Sequence, residues 1–304
     1  MGKVAFVFPG QGSQRVGMGF DLFQGSKAAR EVFEKADEIL NFPLSRLCFE
    51  GPEEKLRQTV FTQPAILTVS LACLQAAADK DGLRPDFVAG HSLGEFTALA
   101  ASGALDFTEA LRLVSERARL MQEAAEKYPG GMAAIIGLDE ITLEEICQET
   151  GTQIANINSP EQIVISGSNR NLAWAMDLSR ARGAKRVIRL EVSGAFHSLL
   201  MQPAAEGLGR VVSQLDFREP RVPIVVNVTA EPEKSPERLK EKLVQQLYSP
   251  VRWQSCVEYM LGAGVSTFIE IGPGKVLSGL IKRISREARV ISLSDLGSIS
   301  SLNL

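Results

Sequence analysis

The stretch "DFVAGHSLGEFTALAASGAL" (residues 86–105) decides how the chain is read. "DFVAG" (86–90) is a short apolar run of the kind a buried strand carries, and the alanine-rich segment after Glu95 has helical character on either side of Gly103. Between them stands G-x-S-x-G, with Ser92 centred on Gly90 and Gly94. Alone, that pattern is compatible with an ordinary glycine-relieved turn and an inert serine. At a strand-to-helix junction it becomes the turn that holds a serine out as a nucleophile, because the glycines avoid side-chain clashes at a sharp bend. The backbone N–H of Leu93 then lies at a helix N-terminus, where unmet donors and the helix dipole favour an oxyanion.

Outward from this junction, "VAFVF" (4–8), "STFIEIG" (266–272) and "RVISLS" (289–294) read as further buried strands. "FTQPAILTVSLACLQAAAD" (61–79) carries helical periodicity after a start at Gln63-Pro64. Apolar strands alternating with helices indicate a parallel α/β sheet. The middle differs. "GMAAIIGL" (131–138) is a strand, "ITLEEICQET" (141–150) a helix, and "TQIANINS" (152–159) and "EQIVISGS" (161–168) are strands around Pro160. "RNLAWAMDLSRARG" (170–183) is a helix and "KRVIRLEVS" (185–193) a last strand of alternating character. That order, β-α-β-β-α-β, is ferredoxin-like. The expected fold class is therefore α/β: a hydrolase-like parallel-sheet core (1–127 and 193–304) interrupted by a ferredoxin-like small domain (128–192).

A net charge of −3 over 304 residues argues against non-specific nucleic-acid binding. Cys48, Cys73, Cys147 and Cys256 are far apart and form no C-x-x-C pair, so neither a zinc site nor a disulfide framework is expected, which fits a reducing compartment. The apolar run at 4–8 is too short for a signal sequence, and Phe6 stands where a myristoylation motif needs Ser or Thr. No segment is read as reaching the roughly 18 apolar residues of a membrane span. A cytoplasmic protein with no membrane or nucleic-acid partner is the expectation.

A serine nucleophile needs a general base, and the chain has two histidines. His91 adjoins Ser92 on the tight turn, where neighbouring side chains diverge, and is read as a packing residue. His197, in "SGAFHSLLM" (193–201), follows a strand at the late position a hydrolase base occupies, and is the candidate base. No acidic residue stands out to orient it, which leaves a backbone carbonyl or an amide. The helix "TEALRLVSERARLMQEAAEK" (108–127) presents Ala110, Leu113, Val114, Leu120, Met121 and Ala124 as one apolar face. Arg117 falls on that face. A guanidinium aimed into a core is costly unless it meets an anion, so it either pairs with an internal carboxylate, snorkels out, or binds a substrate carboxylate. Beside a nucleophilic serine the last reading is preferred, since Arg takes that group bidentately.

"FPGQGSQRVGMG" (8–19) fails the dinucleotide fingerprint because no glycine stands at position 15, and "GPGKVLSG" (272–279) lacks P-loop spacing. Both are read as tight turns after strands, the first able to bring a backbone N–H to the oxyanion.

Together, "FPGQGSQ", "GHSLGE", "SERARLMQ", "NSPEQIVISG", "FHS", "LYSPVRW" and "EIGPGKVLSGL" resemble, in order and over nearly the whole chain, the malonyl-CoA:acyl carrier protein transacylase family of bacterial fatty-acid synthesis. The resemblance implies Ser92 as the acylated nucleophile, His197 as its base, Arg117 on the malonyl carboxylate, and the N–H groups of Gln11 and Leu93 as oxyanion donors. It also implies that a main-chain carbonyl near Gln246 orients the histidine and that Asn158 and Gln162 line the entry cleft. Met121 joins the substrate-binding set, as does Phe196, whose ring before the histidine would crowd an α-methyl. The implied partners are malonyl-CoA, as substrate, and acyl carrier protein, with no metal or other cofactor. Two basic segments could meet an acidic carrier: Arg180, Arg182, Lys185, Arg186 and Arg189, and the cluster at 281–289. A serine hydrolase and a non-catalytic carrier-binding module are the alternatives.

Overall fold

The structure, a computed structural model, describes residues 2–78, 80 and 83–302. Its first part runs β1 (Lys3–Phe8), α1 (Phe20–Gly25), α2 (Lys27–Leu40), α3 (Leu44–Glu50), α4 (Glu53–Leu56), α5 (Thr59–Ala76), β2 (Phe87–Gly90), α6 (Leu93–Ser102) and α7 (Phe107–Lys127). The middle is β3 (Gly130–Ile136), α8 (Glu140–Thr150), β4 (Gln153–Ser159), β5 (Gln162–Ser168), α9 (Asn169–Ala181) and β6 (Arg186–Arg189). The last part is α10 (Gln202–Val212), β7 (Ile224–Val225), β8 (Pro232–Glu233), α11 (Pro236–Gln246), α12 (Trp253–Gly262), β9 (Val265–Ile271), α13 (Val276–Ile284), β10 (Arg289–Leu293) and α14 (Leu296–Ser300).

The core sheet has the order β10-β9-β1-β2-β7-β8, parallel except for the short β7–β8 pair at one edge. Strand alternation sorts β1 onto two cores. Phe6 and Phe8 pack with residues of α5, α6 and α7, while Ala5 and Val7 join Trp253 and Val257 of α12 and Leu277 of α13 on the other face. Helices thus cover both faces, which is why these strands are apolar throughout. The second sheet, β4-β5-β3-β6, is antiparallel and connected β-α-β-β-α-β. Its alternation is equally informative. Ala133, Ile135, Ile163 and Ile165 face α8 and α9, whereas Met132, Ala134 and Val164 belong to the main core cluster. Val251 ties this sheet to the rest by donating to Ala155 O (2.8 Å) and accepting from Ile157 N (2.9 Å).

Four expectations need correction. The helix read as starting at Gln63-Pro64 begins at Thr59, with Pro64 inside it. The strand read over 185–193 stops at Arg189: Leu190 still donates to Met132, but Val192 then donates to Leu190 O (3.0 Å) and turns the chain away. Residues 272–279 are not all turn, since α13 begins at Val276. Among the described residues one helix, α5, is long and apolar enough to cross a membrane (18 residues, mean hydropathy 1.3), against the reading that no segment is. It is 72% buried inside the protein, packed against α2, α6 and α7. The last residue of that helical reading, Asp79, lies outside the described residues.

At the β2–α6 junction the glycines are there for space. A Cβ on Gly90 would sit 1.8 Å from the Gly94 carbonyl carbon, and one on Gly94 would sit 2.0 Å from Phe8 O. Both contacts are with backbone, which cannot swing aside. Gly94→Ala should therefore lose about 2–3 kcal/mol of stability in urea unfolding, while Gly262→Ala, where an added Cβ would meet no atom of the described residues within 4 Å beyond its own stretch of helix, should be nearly neutral. Equal midpoints for the two variants would contradict the tight approach of α6 to β1.

Candidate active site

Ser92 takes φ 52° and ψ −106°, a region that non-glycine residues seldom occupy, and it stands at the N-cap of α6 without using its hydroxyl as a cap. Two amides hold the turn: Ser92 N donates to Asn227 Oδ1 (2.8 Å), and Gln246 Nε2 donates to Ser92 O (3.0 Å). The hydroxyl is thereby left to the cavity.

His197, also at positive φ (57°), places Nε2 at 2.8 Å from Ser92 Oγ. Its Nδ1 is 2.8 Å from the main-chain oxygen of Gln246. A carbonyl can only accept, so Nδ1 carries the hydrogen and Nε2 presents its lone pair to the serine hydroxyl. Burial, and then the Arg117 cation, push the imidazole pKa down to about 3, so the ring is neutral and competent as a base. The other histidine, His91, is bonded to Asn158 Oδ1 (2.8 Å) and tilted against Trp253, the packing role expected of it.

Arg117 is 1% exposed on α7 and meets no carboxylate of the described residues within ion-pair distance. It donates to Gln63 Oε1 (2.6 Å), Gln246 Oε1 (2.9 Å) and Ser92 Oγ (3.1 Å), its guanidinium carbon lies 4.8 Å from the Phe96 ring centre, and its Nε has no partner among the described residues. Burial pulls its pKa down to about 9, with Glu95 pulling the other way, so it stays charged at neutral pH. The structure thus holds a dehydrated cation, surrounded by two amide oxygens, an aromatic face and the hydroxyl of the candidate nucleophile.

These groups open onto one cavity of about 710 Å³, also lined by Gln11, Leu93, Met121 and Phe196. Neither the Leu93 nor the Gln11 backbone N–H is hydrogen-bonded to an acceptor among the described residues. Met121, one turn on from Arg117, receives Gln63 Nε2 at its sulfur (3.4 Å). Asn158 on β4 and Gln162 on β5 line the wall that the second sheet provides, and Gln162 accepts from Arg283 (3.0 Å). All the sequence-identified site residues except Gln246 line this cavity; Gln246 lies behind His197 and Arg117. Among the described residues no three His, Cys, Asp or Glu side chains are grouped to hold a metal ion.

Sequence reading missed Gln63, Glu95, Asn227 and the side-chain role of Gln246. Gln63, Glu95 and Asn227 are polar residues set in largely apolar runs ("FTQPAIL", "SLGEFTAL", "IVVNVT") and are fully or almost fully buried. That mismatch was a usable signal, because a buried polar side chain needs partners.

The chain matches the acyl transferase domain model over residues 5–297. It is 48% identical over 300 residues, 97% of this chain and 94% of the relative, to the malonyl CoA-acyl carrier protein transacylase of Bacillus subtilis (strain 168). Its structure is similar to that of an acyl-carrier-protein-S-malonyltransferase from Bartonella henselae (TM-score 0.95, 43% identity, covering 99% of this chain and 98% of that one). It is also similar to a malonyl-transacylase solved in complex with a type II PKS acyl-carrier protein (TM-score 0.96, 42% identity, 98% of both chains).

Because His197 is already deprotonated well below its ordinary range, phosphonylation of Ser92 by a fluorophosphonate should stay nearly constant from about pH 8 down to about pH 5. Followed by intact mass, an inflection near the ordinary histidine value, about 6.5, would contradict the burial of the base.

Proposed function

The chain belongs to the acyl transferase domain family, and we propose that it moves a malonyl group from malonyl-CoA to the phosphopantetheine thiol of acyl carrier protein through an ester on Ser92, supplying fatty-acid chain elongation. The observation that carries the choice of acyl group is Arg117: a buried cation 3.1 Å from the nucleophile, with no carboxylate at ion-pair distance among the described residues, is completed by a carboxylate on the acyl chain.

The reaction runs in two halves. Ser92 Oγ attacks the thioester carbonyl as its proton passes to His197 Nε2, and the Gln11 and Leu93 amides receive the oxyanion. The carbon–sulfur bond breaks, and coenzyme A leaves with the proton from His197. The carrier thiol then gives its proton to His197, its sulfur attacks the malonyl ester, and Ser92 Oγ leaves and recovers that proton. Both halves use the same groups, so ping-pong kinetics follow. The Gln246 carbonyl keeps the imidazole in one tautomer throughout, so no acidic third member is needed.

As drawn, the chemistry requires no metal or redox cofactor. A division into 1–127 with 193–304 and an inserted 128–192 suits this reading, since it puts the catalytic groups on one unit and the Asn158–Gln162 wall on the other. A cytoplasmic location accords with four buried free thiols. Of the two basic segments, Arg180, Arg182 and Lys185 are within ion-pair distance of Asp177, Glu145 and Glu161, whereas Arg283 lines the cavity. That difference favours the segment at 281–289 for the carrier.

A hydrolase would share Ser92 and His197, but simple ester cleavage has no use for a desolvated cation at the nucleophile. The test is acylation from malonyl, methylmalonyl and acetyl thioesters, with Arg117→Ala alongside. Since amides already solvate part of the guanidinium, the lower end of the cost of breaking a buried pair applies, about 3 kcal/mol or roughly a hundredfold preference for malonyl over acetyl. The variant should lose that preference; parent and variant with the same ranking would refute the role of Arg117. Rapid release of free malonate instead of discharge to carrier protein would favour the hydrolase.

A further inference from the structure

The mechanism leaves one buried ionisable group unused. Glu95, in the first turn of α6, is 0% exposed. Its Oε2 accepts from Asn227 N (2.7 Å), while Oε1 has no hydrogen-bond partner among the described residues. Asn227 is the hub of the turn: its Oδ1 accepts from Ser92 N (2.8 Å) and from Gln246 Nε2 (3.4 Å), and its Nδ2 donates to Gly90 O (2.7 Å). Gln246 continues the chain, accepting Arg117 Nη2 on its side chain and His197 on its main-chain oxygen. One carboxyl group thus stands behind the nucleophile, its base and its cation, connected to them by two amide side chains.

We propose that Glu95 is a positioning residue that sets how strongly Arg117 draws the acyl carboxylate, anchoring the Asn227–Gln246 chain in either protonation state and opposing the guanidinium charge only when ionised. This rests on the malonyl-transfer reading above. Burial raises the carboxyl pKa to about 7, against the Asn227 backbone N–H, the Gln246 side-chain amide and the Arg117 charge, which favour its ionised form. Below that value Glu95 is neutral and Arg117 faces the cavity with its charge unopposed. Above it, the new anion partly cancels that charge and repels the incoming carboxylate. Recruitment of malonyl should therefore weaken as pH rises. A bound malonyl carboxylate lifts the Glu95 pKa further, so the effect falls on kcat/KM, which reports the ionisations of the free enzyme, and spares kcat, which reports those of the complex.

The other charged and titratable groups around Glu95 do not imitate this. Arg117 on α7 stays charged to about 9, Cys256 on α12 is raised by burial, and His197 and His91 at the turn are held neutral by burial.

The experiment is quenched-flow acylation of Ser92 in the full chain by malonyl-N-acetylcysteamine, a thioester without phosphate groups, read by intact mass from about pH 6 to about pH 8.5. The concentration for half-maximal rate should rise about fivefold or more in the parent. Acetyl-N-acetylcysteamine, which has no carboxylate, should show no such rise. Glu95→Gln keeps the oxygen that accepts from Asn227 and cannot ionise, so it should bind malonyl as tightly at high pH as the parent does at low pH, with kcat little changed. A parent profile that is flat for malonyl, or equal slopes for malonyl and acetyl, overturns the proposal without needing the variant. A Glu95→Gln profile that still rises does the same. No malonyl adduct at any pH would sink the transfer reading itself, and this inference with it.

Discussion

A dehydrated guanidinium without a carboxylate in contact is the constraint around which this site is built. Leaving Arg117 at 1% exposure would be prohibitive if nothing answered its charge. The fold answers with dipoles: the oxygens of Gln63 and Gln246, the Ser92 hydroxyl and the Phe96 face. Each contributor comes from a different element (α5, α11, the β2–α6 turn and α6), so the four must be assembled correctly before the arginine can be buried. This ties the packing of α5 and α7 to the chemistry. It also explains why α5, apolar enough for a membrane, carries Gln63 in its interior.

The second sheet contributes by enclosure. Met132, Ala134 and Val164 turn inward to the main cluster, and Val251 bonds into β4, so Asn158 and Gln162 are fixed relative to Ser92 and do not ride on a loose appendage. The early end of β6 belongs to the same purpose. Had the strand run on to Ser193, its backbone would have continued along β3. Instead the chain turns at Leu190, and Leu190, Glu191 and Val192 become wall.

Much of this was legible in the linear sequence because the signals were local. Ser92 announced itself by glycine spacing at a junction, His197 by there being only one other histidine, and Arg117 by falling on an apolar helical face. The parallel core strands were legible because apolar runs closed by glycine or proline have few other readings. What escaped was of two kinds. β7 and β8 are two residues each and exist only as partners of β2 and of one another, so no periodicity could disclose them. Glu95, Asn227 and Gln63 were visible as polar residues among apolar ones. Their purpose depends on contacts across 132 positions in sequence between Glu95 and Asn227 and 54 between Gln63 and Arg117, which no local pattern encodes.

The cation proposed to select the acyl group also acts on the proposed base. After burial, Arg117 is the largest influence keeping His197 unprotonated. A base held so far below neutrality is always available but accepts a proton weakly, and the resting site pays in driving force for that availability. A carboxylate seated on Arg117 cancels the repulsion and raises the basicity of His197 when a substrate is in place to be attacked. A neutral acyl chain cannot do this. On the proposed reading, discrimination between malonyl and acetyl therefore enters twice, in binding and again in proton transfer, and water reaching an empty site meets the base in its weakest condition. The tautomer lock from the Gln246 carbonyl suits this arrangement better than an aspartate would, because a fixed anion at Nδ1 would strengthen the base whether or not the substrate had arrived.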